Sequence, residues 1–194
     1  MKKALVLFIG FICYQIICHA QVMDEHYYFK NLSVQNGLSQ NTVNAILQDK
    51  QGFMWFGTKD GLNRYDGLSF RKFKHDGRSQ QSIGNSFITA LYEDAEGNIW
   101  VGTDVGLYIY YPEHDSFRHF EELSVEDTKI EHTVTAIVGD DQGCVWIAVE
   151  SQGLFCYDLE KERLQNYTLK NFPFISTNVQ SFVFDNSGTL WIGC

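Results

Sequence analysis

Charged and histidine side chains are the groups through which this chain of 194 residues could carry out chemistry. Its histidines are scattered, and they do not combine with cysteines at the spacing of a zinc finger. The sequence contains no serine nucleophile elbow, phosphate-binding loop or dinucleotide-binding glycine motif. The adjacent carboxylates Asp140 and Asp141 belong to a repeated turn rather than to an acid–base pair. We therefore expect no catalytic site, no metal and no cofactor in this chain.

Six polar residues could instead bind a ligand through hydrogen bonds and charge. They occupy segments in which the repeats of the chain differ from one another, and recognition residues usually lie in such loops on a rigid scaffold. Taken singly, each also fits a polar residue that only faces solvent. The candidates are Asn41, Lys59, Asp60, Asp104, His132 and Glu150.

The elements that must position these residues are marked by tryptophan. The chain has four tryptophans, and they are 45, 46 and 45 residues apart: Trp55, Trp100, Trp146 and Trp191. Each is preceded by an aspartate at six residues and a glycine at three, in the segments DKQGFMW, DAEGNIW, DDQGCVW and DNSGTLW. The aspartate can cap a turn, and the glycine can take the positive φ of a short hairpin loop. A period of about 40–50 residues is typical of the four-stranded blades of a β-propeller.

One repeat contains four strands, here named A to D. Strand A precedes the Asp-Gly turn, strand B contains the tryptophan, strand C begins at a Gly-Leu pair, and strand D follows a polar turn. The sequence therefore predicts an all-β fold, a β-propeller with about three and a half four-stranded blades of an incomplete ring. Blades are expected at 42–74, 87–121 and 133–168, and a fourth begins at 178–194. In a propeller the B–C loops and the segments before strand A share one rim, where the six candidates would lie.

The tryptophans admit two interpretations. Exposed tryptophans can stack on sugar rings, but a tryptophan at one fixed place in every blade is better explained as a packing residue between sheets. Two residues after each tryptophan stands a small residue: Gly57, Gly102, Ala148 and Gly193. A glycine within a strand marks the close approach of another backbone. We therefore expect the neighbouring blade to pack at this position.

Residues 1–20 have the pattern of a secretory signal peptide, with two lysines, an apolar stretch and a small-residue cleavage site before Gln21. An uncleaved anchor is the alternative. Export would place residues 21–194 in the periplasm, where residues 27–33 could form a strand D that closes a ring. Because propellers typically have about 4–8 blades, we expect the chain to be the front part of a longer protein. Its formal net charge of −9 argues against direct contact with nucleic acid.

Three of the five cysteines lie beyond the signal segment, so no disulfide framework is indicated. Cys144 and Cys156 fall on adjacent strands of one hairpin and could pair. They also fit two packed thiols that replace Asn98 and Ile109 of the preceding blade.

The repeats resemble a known family. The stretches NGLSQNTVNAILQDKQGFMWFGTKDGLNRYDGLSF and SFITALYEDAEGNIWVGTDVGLYIY are similar to the two-component regulator propeller repeat. The resemblance covers nearly all of residues 28–194, although the third repeat has Ala148 and Val149 in place of Gly-Thr. Such repeats build the periplasmic sensor region of hybrid two-component systems in Bacteroidetes-type bacteria, in which the propellers have seven blades.

The resemblance implies a function but no individual site residue, because the family motif marks structural positions. It implies an extracytoplasmic sensor that responds to oligosaccharides, that dimerises in the full-length protein and that is anchored in the inner membrane. The kinase and receiver modules of that plan are absent from this sequence, so no catalysis is expected in it. The remainder of the propeller would then be a partner of this segment.

Two other functions remain open on the residues alone. A secreted propeller glycosidase or lyase would need paired carboxylates that face the central channel, whereas the strand A segments supply mostly Asn, Thr and Gln. A protein-interaction scaffold of the WD-repeat type would carry a Trp-Asp dipeptide, which the sequence lacks.

Overall fold

The structure is a computed structural model and describes residues 28–122, 129–167 and 178–194. Backbone contacts divide the chain into residues 1–31 and 32–194. Of the first unit only residues 28–31 are described, and they carry no helix or strand. The second unit contains all of the sheets. Within the described residues, no helix has the length and apolar composition needed to cross a bilayer.

Residues 32–194 form three four-stranded antiparallel sheets and one two-stranded sheet, each a simple meander. This confirms the all-β propeller-type fold with about three and a half blades. Blade 1 contains β1 (Val43–Gln48), β2 (Met54–Thr58), β3 (Gly61–Tyr65) and β4 (Phe70–Phe73). Blade 2 contains β5 (Ile88–Glu93), β6 (Ile99–Thr103), β7 (Gly106–Tyr111) and β8 (Ser116–His119). Blade 3 contains β9 (Val134–Gly139), β10 (Cys144–Val149), β11 (Gly153–Asp158) and β12 (Arg163–Tyr167), and blade 4 contains β13 (Ser181–Phe184) and β14 (Leu190–Gly193).

The described residues also contain two short 3-10 helices, Val34–Asn36 and Phe120–Glu122. The predicted closing strand at 27–33 is not seen as a strand: residues 28–33 have extended or irregular backbone, and residue 27 lies outside the described residues. Its role therefore stays a prediction, as does the signal peptide, which also lies outside them.

The Asp-Gly-Trp motif is one hydrogen-bonded unit. In blade 1, Asp49 Oδ1 accepts the backbone N–H groups of Gln51 and Phe53 at 3.0 and 2.9 Å, and Oδ2 accepts the Trp55 indole N–H at 2.7 Å. The same indole bond recurs at 2.9, 2.8 and 2.8 Å in the next three blades. Gly52 has a φ of +91°, as the turn prediction required. The aspartate thus closes the turn with one oxygen and fixes the tryptophan with the other.

Trp55 and Trp100 pack between blades, which confirms the structural interpretation for these two tryptophans. Trp55 lies 5.4 Å, between ring centroids, from Tyr110 of blade 2, and Trp100 lies 5.7 Å from Tyr157 of blade 3. Both indoles are 1% exposed. Burial of such rings against aromatic partners is among the larger sources of packing energy between sheets.

The small residue after each tryptophan allows this close packing. A Cβ placed on Gly57 would lie 2.6 Å from Ile88 Cγ2 of the next blade, and one on Gly102 would lie 2.8 Å from Val134 Cγ1. No real side chain is found at such distances, so the prediction of close approach is confirmed. Blade 3 tolerates Ala148 at this position, where the alanine is itself fully buried.

Adjacent blades are also joined by side chains of their innermost strands. Asn44 Nδ2 donates to the carbonyl of Ile88 at 2.8 Å. Thr89 and Thr135 occupy the same place in blades 2 and 3, and their hydroxyls donate to the carbonyls of Val134 and Val179 at 2.6 and 2.7 Å. Blades 1, 2 and 3 therefore each donate one side-chain hydrogen bond to a main-chain carbonyl of the next blade.

Cys144, Cys156 and Cys194 are free thiols. In the β10–β11 ladder Cys156 is the cross-strand partner of Trp146, two residues from Cys144, so the two thiols share one face of the hairpin. The structure thus contains two packed thiols and no disulfide among these three cysteines.

Candidate functional site

The loop rim, defined as residues 39–42, 59–60, 84–87, 104–105, 131–133 and 150–152, is built by a repeated set of backbone hydrogen bonds. Within a blade, the first residue of the B–C loop donates to the residue before strand A: Lys59 to Thr42, Asp104 to Phe87, and Glu150 to Thr133, at 3.3, 3.2 and 2.9 Å between N and O. Between blades, the glycine that opens strand C donates to the segment before the next strand A, from Gly61 to Ser86 and from Gly106 to His132. The prediction that both sets of loops share one rim is confirmed.

In blade 1 the rim contains Lys59 and Asp60, and each of these side chains contacts a neighbouring side chain. The Lys59 ammonium lies 5.7 Å from the centre of the Phe87 ring, across the junction with blade 2. Its neighbour Asp60 accepts a hydrogen bond from Lys74 Nζ at 2.6 Å. Lys59 is exposed and keeps its charge available, whereas Asp60 already has a partner.

In blade 2 the corresponding residue is Asp104, and its environment differs. One carboxylate oxygen, Oδ1, is buried and has no hydrogen-bond partner among the described residues. Burial raises the pKa of the nearby Tyr108 hydroxyl, and the negative charges of Glu121 and Asp104 raise it further. A buried acceptor without a donor is unfavourable. Asp104 is thus a rim residue with an unsatisfied buried oxygen among the described residues.

The remaining candidates are spread along the same rim. His132 and Glu150 are exposed beside the β9 and β10 ends. Asn41 is also exposed, but its Oδ1 accepts the N–H of Val34 at 2.9 Å and so holds the Val34–Asn36 turn. Thr133 Oγ1 donates to the Asp104 carbonyl at 3.4 Å, so the structure brings Asp104 close to the segment of His132. Binding by any of the six stays a prediction.

Sequence reasoning missed a buried polar group just behind this rim. Asn63 is fully buried and donates from Nδ2 to Ser39 Oγ at 2.8 Å, while its Oδ1 accepts the Ser39 N–H at 2.9 Å. Ser39 and Thr58 share a further hydroxyl contact at 2.9 Å. The sequence did contain a signal for this buried group: Asn63 is polar, whereas the equivalent residues of blades 2 and 3 are the aromatic Tyr108 and Phe155. This network ties the segment before β1 to blade 1.

The opposite edge of the sheets, where the Asp-Gly turns lie, carries the open clefts. One of about 530 Å³ lies between the turns of blades 3 and 4, lined by Asp140, Asp141, Gln142, Asn186 and Ser187 among others. A second of about 360 Å³ lies between blades 2 and 3 beside Tyr111, Tyr157 and Glu162. In the part of the chain that the structure describes, no three His, Cys, Asp or Glu side chains are placed to hold a metal ion.

Comparison with known proteins supplies a family. The profile described as Two component regulator propeller matches residues 37–60 and 82–105, which are the turn and strand A–B segments of blades 1 and 2. Blades 1 and 2 thus contain segments that match the two-component regulator propeller repeat.

Solved structures agree with that assignment. The extracellular domain of a hybrid two-component system from B. thetaiotaomicron is 30% identical, with a TM-score of 0.76, over 87% of this chain and 24% of that one. A second such domain from the same organism is 24% identical with a TM-score of 0.68 and shares the fold.

A curated relative, Histidine kinase P4 of Formosa agariphila, is 38% identical over 63 residues, which is 32% of this chain and 5% of that protein. The regulator propeller repeats described here thus span about a quarter of the solved domains that they match.

The inner strands carry polar side chains at their rim end. At the rim end of the inner strands the side chains are amides and hydroxyls, Asn44, Thr89 and Thr135, and each is engaged with the next blade. A glycoside hydrolase needs two facing carboxyl groups at that place. The exposed polar loops above these strands offer hydrogen bonds and charge.

Proposed function

We propose that this chain forms part of the extracytoplasmic, ligand-sensing propeller of a two-component signalling protein. The observation that carries the proposal is the similarity to the extracellular domain of a hybrid two-component system, at 30% identity and a TM-score of 0.76 over 87% of the chain. The partial match to a histidine kinase agrees with a parent protein of that class. The activity itself would lie outside the propeller.

The ligand we propose is an oligosaccharide that binds to the loop rim. Sugars offer many hydroxyl groups, and the rim presents exposed charged and imidazole side chains, Lys59, His132 and Glu150, on a framework held by backbone hydrogen bonds. The loops vary in charge from blade to blade while their backbone is constant. Such variation on a rigid scaffold is where specificity usually resides.

We further propose that other blades of the same ring, and a second copy of the parent protein, are the partners of this segment. Ile46 on β1 is 61% exposed, whereas its equivalents Ile137 and Phe182 are 6% and 8% exposed because a preceding blade covers them. On the other side Trp191 is 62% exposed, although Trp100 is buried. Exposed apolar faces of this kind favour a covering partner. Ligand binding would then shift the equilibrium between two conformations of the dimer, and this conformational change would be transmitted across the membrane.

Isothermal titration calorimetry against a panel of oligosaccharides from partly hydrolysed plant and bacterial polysaccharides tests the proposal. The double variant Lys59→Ala/Glu150→Ala should weaken binding of whichever oligosaccharide the chain binds. Glu160→Ala, which removes an exposed carboxylate near β12 on the opposite edge, is the matched control and should bind like the wild type.

Absence of binding to every oligosaccharide, with circular dichroism showing an intact β fold, would contradict the proposal. Equal weakening by the control would place the ligand elsewhere than on the loop rim.

A further inference from the structure

The grooves between neighbouring Asp-Gly turns are filled differently at each blade junction. Between blades 1 and 2 the groove is filled by Lys50, whose ammonium donates to the carbonyl oxygens of Asp94 and Ala95 at 2.7 and 3.0 Å. The Lys50 N–H also donates to Glu93 Oε2 at 2.9 Å. Two consecutive main-chain carbonyls of one turn therefore form a seat for a primary ammonium group.

The turn of blade 4 has the same backbone geometry as the turn that holds Lys50. Gly97 donates to Asp94 O at 3.2 Å, and Gly188 donates to Asp185 O at 3.0 Å. The two glycines have φ values of +87° and +79°. The carbonyls of Asp185 and Asn186 thus correspond to those of Asp94 and Ala95. Because a carbonyl oxygen has two lone pairs, the bond from Gly188 leaves room for a second donor on Asp185.

At the junction of blades 3 and 4, no side chain of the described residues donates a hydrogen bond to the carbonyls of Asp185 and Asn186. Between blades 2 and 3, the Tyr92 hydroxyl reaches across and packs against Gly139. Between blades 3 and 4, Val138 stands at the Tyr92 position and is too short to cross. The Lys50 position there is Asp141, which is exposed. A cleft of about 530 Å³ lies at this junction.

The cleft has the chemistry that a lysine side chain requires. Its apolar part is formed by Trp146, Phe184 and Leu190, against which a four-carbon stem can pack. Its polar lining includes Asp141 and the turn residues Asp185 and Asn186. The carboxylates of Asp140 and Asp185 already accept bonds from their own turns and tryptophans, so Asp141 is the carboxylate placed to accept a direct bond from the ammonium, while all three add charge attraction.

We propose that this turn groove binds a primary alkylammonium group, presented by a lysine side chain of a protein partner. The ammonium sits against the carbonyls of Asp185 and Asn186, as Lys50 sits against their counterparts, and Asp141 lies beside it. The site is on the edge opposite the loop rim. It does not rest on the proposed sensing of oligosaccharides, and the two can fail independently.

The test is ¹H–¹⁵N NMR titration of the whole chain with the peptide acetyl-Gly-Lys-Gly-amide, and with the same peptide acetylated on the lysine as the control ligand. The lysine peptide should shift the Trp146 indole and the Asn186 and Ser187 amide signals, and the acetylated peptide should not. Titration with 1,5-diaminopentane distinguishes a small free amine from a lysine side chain as the source of the ammonium group. Tighter binding of that diamine than of the peptide would overturn the assignment to a protein partner.

Two variants test the comparison between the groove of blades 1 and 2 and the groove of blades 3 and 4. Asp141→Lys places a lysine where blade 1 has Lys50, so it should fill the groove and weaken peptide binding by about tenfold or more. Lys50→Met empties the groove of blades 1 and 2, so a second set of shifts should appear at Asp94 and Ala95. Glu113→Lys makes the same charge change on an exposed residue elsewhere and should bind normally.

Unchanged binding by a folded Asp141→Lys protein would overturn the proposal. So would a folded Lys50→Met protein in which the peptide produces no new shifts, because the seat would then not recognise an ammonium group. Dispersion of the spectrum reports folding in the same samples.

Discussion

Replacing Asp94 by asparagine should destabilise the protein far more than the same change at Asp185, although both residues perform the same local role. In each turn the aspartate accepts two backbone N–H groups on one oxygen and the indole N–H on the other. The two sites differ in burial. Asp94 and Trp100 are 3% and 1% exposed, whereas Trp191 is 62% exposed.

The expected magnitude follows from the number of donors left without an acceptor. An asparagine retains the size of aspartate but has a single acceptor oxygen, so at position 94 its NH₂ group must face either the turn amides or the Trp100 indole. A buried donor without a partner costs about 1–3 kcal/mol, and loss of a charge-assisted bond adds to this. We expect Asp94→Asn to lower the free energy of unfolding by about 2–4 kcal/mol. At position 185 water can solvate the exposed indole, so the loss should be much smaller.

Urea denaturation followed by circular dichroism measures both variants, and a constant m-value shows that the native fold is shared. The double variant with Trp100→Phe removes the indole donor, so its loss should be smaller than the sum of the two single losses. Equal destabilisation by Asp94→Asn and Asp185→Asn would refute the reasoning, since burial would then not set the cost. Additive losses with Trp100→Phe would show that the indole bond carries no energy.

Three further predictions concern packing, protonation and thiol reactivity. Gly57→Ala should cost about 1–3 kcal/mol of unfolding free energy by urea denaturation, because its Cβ would lie 2.6 Å from Ile88 Cγ2; an unchanged midpoint would contradict the close approach. Burial and a carboxylate hydrogen bond raise the pKa of Tyr110 to about 12, so the folded chain retains a proton that the unfolded chain releases near its usual pKa of about 10. Stability should therefore be complete below about pH 10 and fall towards pH 12, and Tyr110→Phe should flatten that fall in denaturation curves; an equally steep fall would count against it. Cys156 is buried and its pKa is raised mainly by burial, so iodoacetamide should label it only after unfolding, while exposed Cys194 reacts in the native state; equal rates in peptide mass mapping would be inconsistent with the structure.

Local chemistry explains why the strands and turns could be predicted. The Asp-x-x-Gly spacing places a capping carboxylate and a residue of positive φ at the two ends of one turn, and both interactions lie within four residues. Gly57 and Gly102 indicated close approach because a strand gains nothing else from a residue without a side chain. The predicted contacts were therefore those that a single blade dictates.

The sequence predicted which loops form the rim, but it did not predict the contacts that their side chains make. The regular alternation of loops located Lys59, Asp104 and Glu150 at equivalent positions. What each side chain meets depends on the neighbouring blade: Lys59 lies over Phe87, while Asp104 has a carboxylate oxygen buried without a donor. These contacts join residues that are far apart in the chain, so no local pattern announces them.

By itself, the sequence determined that this protein is an array of one all-β unit, because tryptophan, aspartate and glycine recur in a constant local arrangement whose hydrogen bonds each blade makes alone. The tertiary structure decided how the units are used. Only the packed blades show that Asn44 donates to a carbonyl of the next blade, and that Trp100 is buried while the equivalent Trp191 is exposed. They also show that Lys50 fills the groove between blades 1 and 2, whereas Asp141 leaves the equivalent groove between blades 3 and 4 open. The physical reason is that these properties belong to junctions between blades, where burial and hydrogen bonding depend on both neighbours.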